Sequence, residues 1–360
     1  MSTPRSGKFD QSNFLFIVKF FAVVMIAAFS AEYLADSTVK FLPMNDIEFN
    51  YETAHLQNNS ASTDEARDLS GSGQVAFAAG EDGNKNKEVT NETSFLARVE
   101  KEEDKTVELK NNNPPYVDAS SYLVADMDSG QIYAEKRSQT VRPIASISKL
   151  MTALTAIKSL PKDREITATE TAVNSFGISA NLSYGEKLTL EEILYPLLLS
   201  SANDAALSIS DYYGKGRFAQ LMNRQARKIG MINSYFVEPS GLSEKNVSTA
   251  YDIYKLARHI KENEEVILEI TQAESGSVTL TTPNGSERTE TFRNIHQLRN
   301  LEEYRGGKNG YINESRQTLI TTFEIEDSKN NKRNIAIIVL GSDNSTSDTL
   351  SLLSWIKDAL

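Results

Sequence analysis

No cysteine occurs anywhere in the 360 residues. A disulfide framework, a thiolate metal site and a cysteine nucleophile are therefore excluded. Histidine is nearly as scarce. His55, His259 and His296 are the only three, and they are scattered without metal-ligand spacing, so neither a zinc centre nor any other metal site is expected. The same scarcity leaves a Ser-His-Asp triad poorly supplied and turns attention to lysine as a base. Basic residues are outnumbered, 38 Lys/Arg against 49 Asp/Glu, for a formal charge of -11. That balance argues against nucleic acid as a partner.

The acidic excess is uneven. Residues 36–113 hold 16 Asp/Glu against 8 Lys/Arg. They are rich in Asn, Ser and Gly and poor in aromatics, with runs such as Ser70-Gly71-Ser72-Gly73. Such a segment buries too little apolar surface to offset its ordering entropy, and reads as a disordered acidic linker. Before it, Phe14 to Ala31 is apolar apart from Lys19, about the length a membrane-spanning helix needs. With Arg5 and Lys8 ahead of it, residues 1–35 read as a cytoplasmic N-terminus and a transmembrane signal anchor, or as a cleaved signal peptide. The apolar length favours the anchor. Both readings place the remainder outside the cytoplasm.

The folded domain is expected over 114–360. Ser121–Met127 and Gln131–Glu135 flank Asp128-Ser129-Gly130, a hairpin signal. Helices are expected after Pro143, at Leu188–Leu199 with Thr189 as cap and Pro196 as a kink, at Ala202–Tyr212, at Arg217–Ile229 and at Thr249–Ile260. From about 270 the pattern changes to strands, at Ser277–Thr282, Gly307–Ile312, Gln317–Glu324 and Asn334–Leu340. A closing helix over Asp348–Leu360 places Leu350, Leu353 and Ile356 on one side. The order implies an α+β fold, an antiparallel sheet with helices packed on it and an all-helical lobe.

Three stretches carry chemistry. Ser146 and Lys149 lie three apart at a helix start, on one face. Serine is a weak nucleophile without a base in reach, and a lysine desolvated against an apolar helix face loses its proton near neutral pH. The helix N-terminus adds N–H groups that favour an oxyanion. Ser201-Ala202-Asn203 forms a polar turn between apolar helices. Ser201 there can relay a proton or simply cap the next helix, and Asn203 can hold Lys149 and a substrate amide. Gly306-Gly307-Lys308-Asn309-Gly310-Tyr311 lets another backbone approach an edge strand, with Lys308 offering positive charge to a carboxylate, or is a solvated glycine turn.

In that order, Ser146-Ile147-Ser148-Lys149, Ser201-Ala202-Asn203 and Lys308-Asn309-Gly310 resemble the Ser-x-x-Lys, Ser-x-Asn and Lys-Thr-Gly motifs of the serine D-alanyl-D-alanine carboxypeptidases. These are low-molecular-weight penicillin-binding proteins of the β-lactamase-like fold. Ser179–Leu190, Phe236–Leu242 and Ser248–Asp252 also resemble the family, so the likeness spans about 118–360. It implies that Ser146 attacks the bond between two D-alanines of a peptidoglycan stem peptide. Lys149 acts as base and Ser201 and Asn203 complete the proton network, with no cofactor. The backbone N–H groups of Ser146 and Tyr311 hold the oxyanion, Lys308, Asn309 and Gly310 bind substrate, and β-lactams acylate the serine. An endopeptidase of the same family, and a wall-binding pseudoenzyme, are the alternatives. This chain departs from the pattern in three places. Asn309 replaces the family's Thr, Ser240 stands where His is common, and Gly341–Thr346 lacks the basic residues often found there. These departures bear on carboxylate affinity and rate rather than on the fold.

Overall fold

A computed structural model of the chain describes residues 107–360 apart from Lys215. The proposed anchor at 14–31 and nearly all of the acidic linker lie outside the described residues. Among the described residues, no helix is long and apolar enough to cross a membrane.

Strand β1 (Ser121–Asp126) turns through Asp128-Ser129-Gly130 into β2 (Ile132–Lys136), the expected hairpin. The late strands are β9 (Tyr304–Ile312), β10 (Arg316–Glu326) and β11 (Lys332–Ser342). Together they form an antiparallel sheet in the order β2-β1-β11-β10-β9. The first and last strands of the described residues thus pair inside the sheet, with Leu123 opposite Ile338 and Ala125 opposite Ala336. Side chains alternate between faces along a strand, and here both faces are buried. Leu123, Ala336, Ile338 and Leu340 face the helical lobe, whereas Val124, Ile335, Ile337 and Val339 face the C-terminal helix.

The lobe follows from the sequence's own stop signals. A 3-10 turn at Ala145–Ile147 leads into α1 (Ser148–Ser159), which is buried along most of its length. Strand β3 (Arg142–Pro143) precedes that turn. After α1 come the short β4 (Glu165–Thr167), α2 (Glu170–Val173) and β5 (Lys187–Thr189). Helix α3 (Leu190–Leu198) opens with Thr189 and Glu192 in a reciprocal cap, which satisfies two free N–H groups at once. Pro196 sits inside α3. Its carbonyl accepts from Ala202 N and Ser200 Oγ, which folds the chain back directly after the helix. Then follow α4 (Asn203–Tyr213), α5 (Arg217–Lys228), β6 (Val247–Ser248), which pairs with β3, and α6 (Ala250–Asn263), capped by Thr249. The C-terminal helix α8 (Ser345–Ala359) is entered after α7 (Val266–Gln272), β7 (Ser275–Thr281), β8 (Glu287–Arg293) and the three late strands.

The expected α+β class with antiparallel strands holds. Strands β4, β5, β7 and β8 also build a second, four-stranded sheet that the sequence reading lacks. In β8 only Phe292 is buried, so it carries no apolar alternation to read. The buried face of α8 is Leu352, Leu353, Ile356 and Ala359, while Leu350 is exposed, a shift from the expected side. At the other end the chain is docked ahead of Pro114. The Val107 backbone exchanges two hydrogen bonds with the Gln131 amide, and Lys110 N donates to Ala359 O.

Candidate active site

The 3-10 turn bearing Ser146 is pressed between two glycines. Gly310 of β9 lies so close that a Cβ there would come 2.8 Å from Ser146 N and 2.9 Å from Ala145 Cβ. Gly241, at φ +86°, lies against the Ala145 carbonyl, where a Cβ would come within 2.0 Å. Ala145 itself has φ +48°, a strained value for a residue with a Cβ. β9 ends the five-stranded sheet, so its outer edge faces this turn.

One helical step on, Lys149 is completely buried. Its Nζ lies 3.0 Å from Ser146 Oγ, 2.8 Å from Asn203 Oδ1 and 2.6 Å from the Ser240 carbonyl. The Asn203 amide is not free to turn, because its Nδ2 donates to the Phe176 carbonyl at 2.7 Å. Two carbonyl oxygens therefore take two N–H bonds of a neutral amine. The remaining lone pair is left for the Ser146 hydroxyl. Burial lowers the Lys149 pKa to about 7, partly opposed by the negative charges of Glu238 and Asp204.

Ser201 sits in the turn after α3 at φ +62°, and Ala202 leads into α4. Ser201 Oγ accepts from Lys308 Nζ at 2.9 Å, and the same nitrogen donates to Asn309 O at 2.9 Å. Lys308 is fully buried, and its pKa is lowered well below that of a free lysine by burial first and by Lys149 second. The sequence reading has Lys308 offering charge to a carboxylate. In the structure its end is turned inward onto Ser201.

Ser146, Ser201, Ile178 and Tyr311 are shared by two adjoining hollows. The larger, about 590 Å³, is walled by Phe176, Asn203, Leu242 and Ile312. The other, about 410 Å³, is walled by Asn309, Gly310, Gln317 and Thr318. The three motif stretches thus open on one cleft, with Lys149 and Lys308 beneath its floor. Sequence reasoning missed Phe176, Ile178 and Gln317 at the rim and the Ser240 carbonyl below. None of these carries a motif, and a backbone carbonyl has no side-chain signature.

The pattern of the D-alanyl-D-alanine carboxypeptidase family, peptidase S11, matches residues 108–344. A D-alanyl-D-alanine endopeptidase of Pseudomonas aeruginosa is 32% identical over 246 residues, covering 66% of this chain and 77% of its own. One from Escherichia coli is 29% identical over 262 residues, 70% of this chain and 82% of its own. The solved D-alanyl-D-alanine carboxypeptidase of Mycobacterium tuberculosis superposes with a TM-score of 0.61 at 26% identity, over 69% of this chain and 95% of that one. A match over most of the described chain, with the motif stretches meeting in one cleft, settles the relationship: this chain belongs to the D-alanyl-D-alanine carboxypeptidase family.

Proposed function

We propose that the protein is a serine DD-carboxypeptidase that removes the terminal D-alanine from peptidoglycan stem peptides outside the cytoplasm. The observation that carries the reading is the 3.0 Å contact between Ser146 Oγ and a buried Lys149 that holds its amine near neutrality. Lys149 takes the Ser146 hydroxyl proton, and Oγ attacks the carbonyl carbon between the two D-alanines. The negative oxygen is held by the backbone N–H groups of Ser146 and Tyr311. Collapse breaks the C–N bond. The departing amine takes a proton through Ser201 and the two lysines, leaving an ester on Ser146. Water then hydrolyses the ester, releases the shortened peptide and returns the serine proton. Substrate lies along the open edge of β9, past Asn309, Gly310 and Tyr311. β-Lactams acylate Ser146 by the same route, but their opened ring stays attached.

The apolar length of Phe14–Ala31 supports a single-pass anchor at the N-terminus, with 36–113 as the tether. A second reading, an endopeptidase cutting cross-links, has its own support. Two relatives, aligned over 77% and 82% of their length, carry that name.

Labelling with a fluorescent penicillin tests the reading. Wild type is expected to be labelled and Ser146→Ala not; an unlabelled wild type would favour a pseudoenzyme. Incubation with a stem pentapeptide and with a cross-linked dimer then separates the two peptidase readings by which product forms faster.

A further inference from the structure

The turn that brings the Ser240 carbonyl to Lys149 is folded around one carboxylate. Glu238 Oε2 accepts from Ser240 N at 2.7 Å and from Ser240 Oγ at 2.6 Å. Its Oε1 accepts from Gly241 N at 2.7 Å and from Ser243 N at 3.3 Å. Charge-assisted bonds of this kind fix a backbone more firmly than neutral ones. The turn is also pinned from outside. Asn246 Nδ2 bridges Glu238 O and Ser148 Oγ, and Thr152 Oγ1 donates to Pro239 O at 2.6 Å. The Ser240 carbonyl is thereby aimed at Lys149 Nζ, at the shortest of its three contacts.

We infer that Glu238 is a positioning residue for serine activation: it holds the Ser240 carbonyl on Lys149 and sets a negative charge beside the amine that must accept the serine proton. The inference rests on the serine-peptidase reading above. Its physical content is the division of the Lys149 hydrogens. With the Asn203 and Ser240 oxygens both occupied, the lone pair has one remaining direction, toward Ser146. Without the carboxylate, the N–H groups of Ser240, Gly241 and Ser243 lose their acceptor and the carbonyl loses its aim. The charged groups acting on Lys149 are Glu238 from this turn and Asp204 from α4, while Lys308 of β9, nearby, has its own pKa lowered by Lys149. Asp204 is buried and occupied elsewhere, accepting from Ser179 Oγ, Ala180 N and Leu182 N. Glu238 alone combines the charge with control of a Lys149 ligand.

The test is the pH dependence of penicillin acylation by the full chain, as wild type, Glu238→Gln and Glu238→Asp, with thermal stability measured beside it. Removing the charge makes Lys149 easier to deprotonate. In Glu238→Gln the acidic limb is therefore expected to move to lower pH by on the order of half a unit, and the plateau rate to fall about tenfold. Glu238→Asp keeps the charge on a shorter arm, so its limb is expected to stay at the wild-type position while its rate falls. Limbs that coincide in all three proteins, or a wild-type rate in Glu238→Gln, would overturn the inference. Should Glu238→Gln fail to fold, Glu238→Asp decides: a reduced rate at an unmoved limb supports it, and a wild-type rate or a displaced limb overturns it. A wild type that takes no label at Ser146 would instead sink the serine-peptidase reading itself.

Discussion

Lys149 and Lys308 are both completely buried, and each ends on a serine hydroxyl at the cleft, Ser146 at 3.0 Å and Ser201 at 2.9 Å. Burial under one dry floor lowers the pKa of both, and Lys149 lowers that of Lys308 further. Lys149, with a pKa of about 7, therefore supplies a neutral amine where a base is needed.

The pH profile of acylation follows from the Lys149 value. The neutral amine is the active form and its pKa lies at about 7, so the acylation rate is expected to rise as pH increases through about 7. Rates of penicillin acylation between pH 5 and 9 check this. A rate that is flat across that range, or that starts to rise only near the pKa of a free lysine, would remove Lys149 from the base role.

Replacing Lys149 separates chemistry from folding. Lys149→Met keeps the volume and removes the amine, and acylation is expected to fall by about 10² to 10⁴. Stability is expected to hold or to increase at neutral pH. The sign follows from linkage. Folding depresses this pKa, so between about 7 and 10.5 the unfolded chain binds the proton and the folded chain does not. Wild-type stability thus gains from this group as pH rises through that window, and the group costs most below it. Melting curves at pH 6 and pH 9 should show that pH dependence shrinking in Lys149→Met; an unaltered dependence would mean the buried lysine keeps an ordinary pKa.

Gly310 is expected to tolerate no side chain. The Cβ of Gly310→Ala would meet Ser146 N at 2.8 Å, Thr318 Oγ1 at 2.7 Å and Ala145 Cβ at 2.9 Å. The serine turn must shift, and displacement of a nucleophile by a fraction of an ångström costs about 10- to 100-fold in rate. Overpacking adds about 1–3 kcal/mol of destabilisation. Acylation kinetics and denaturant unfolding of the variant measure both; wild-type acylation would show that the turn is not held by β9.

Asn309 lines the 410 Å³ hollow, and Lys308 binds its backbone oxygen rather than its side chain. Asn309→Thr is therefore expected to leave acylation unchanged or to raise it, because a hydroxyl on a shorter arm still reaches into the cleft. A large loss of rate in that variant would give the Asn309 amide a substrate contact of its own.

Much of this arrangement was legible along the chain. Thr189 announces its helix because a cap bonds to an N–H three residues on. β10 and β11 declare themselves through β-branched and apolar residues buried on both faces. The second sheet was not legible, since Glu287–Arg293 alternates charged residues with threonine and buries one phenylalanine. Two-residue strands such as Arg142–Pro143 have no pattern long enough to read.

The sequence by itself determined that Ser146 and Lys149 share one face, because a helical turn, 3-10 or α, stacks residues three apart. Tertiary structure alone decided that Lys149 is dry, that its protons go to Asn203 and to a carbonyl 91 residues away, and that Lys308 faces inward to Ser201, 107 residues distant. Side-chain proximity within a turn is a local property of the backbone. Burial and Coulomb fields are sums over everything packed around a group, and only the finished fold fixes them.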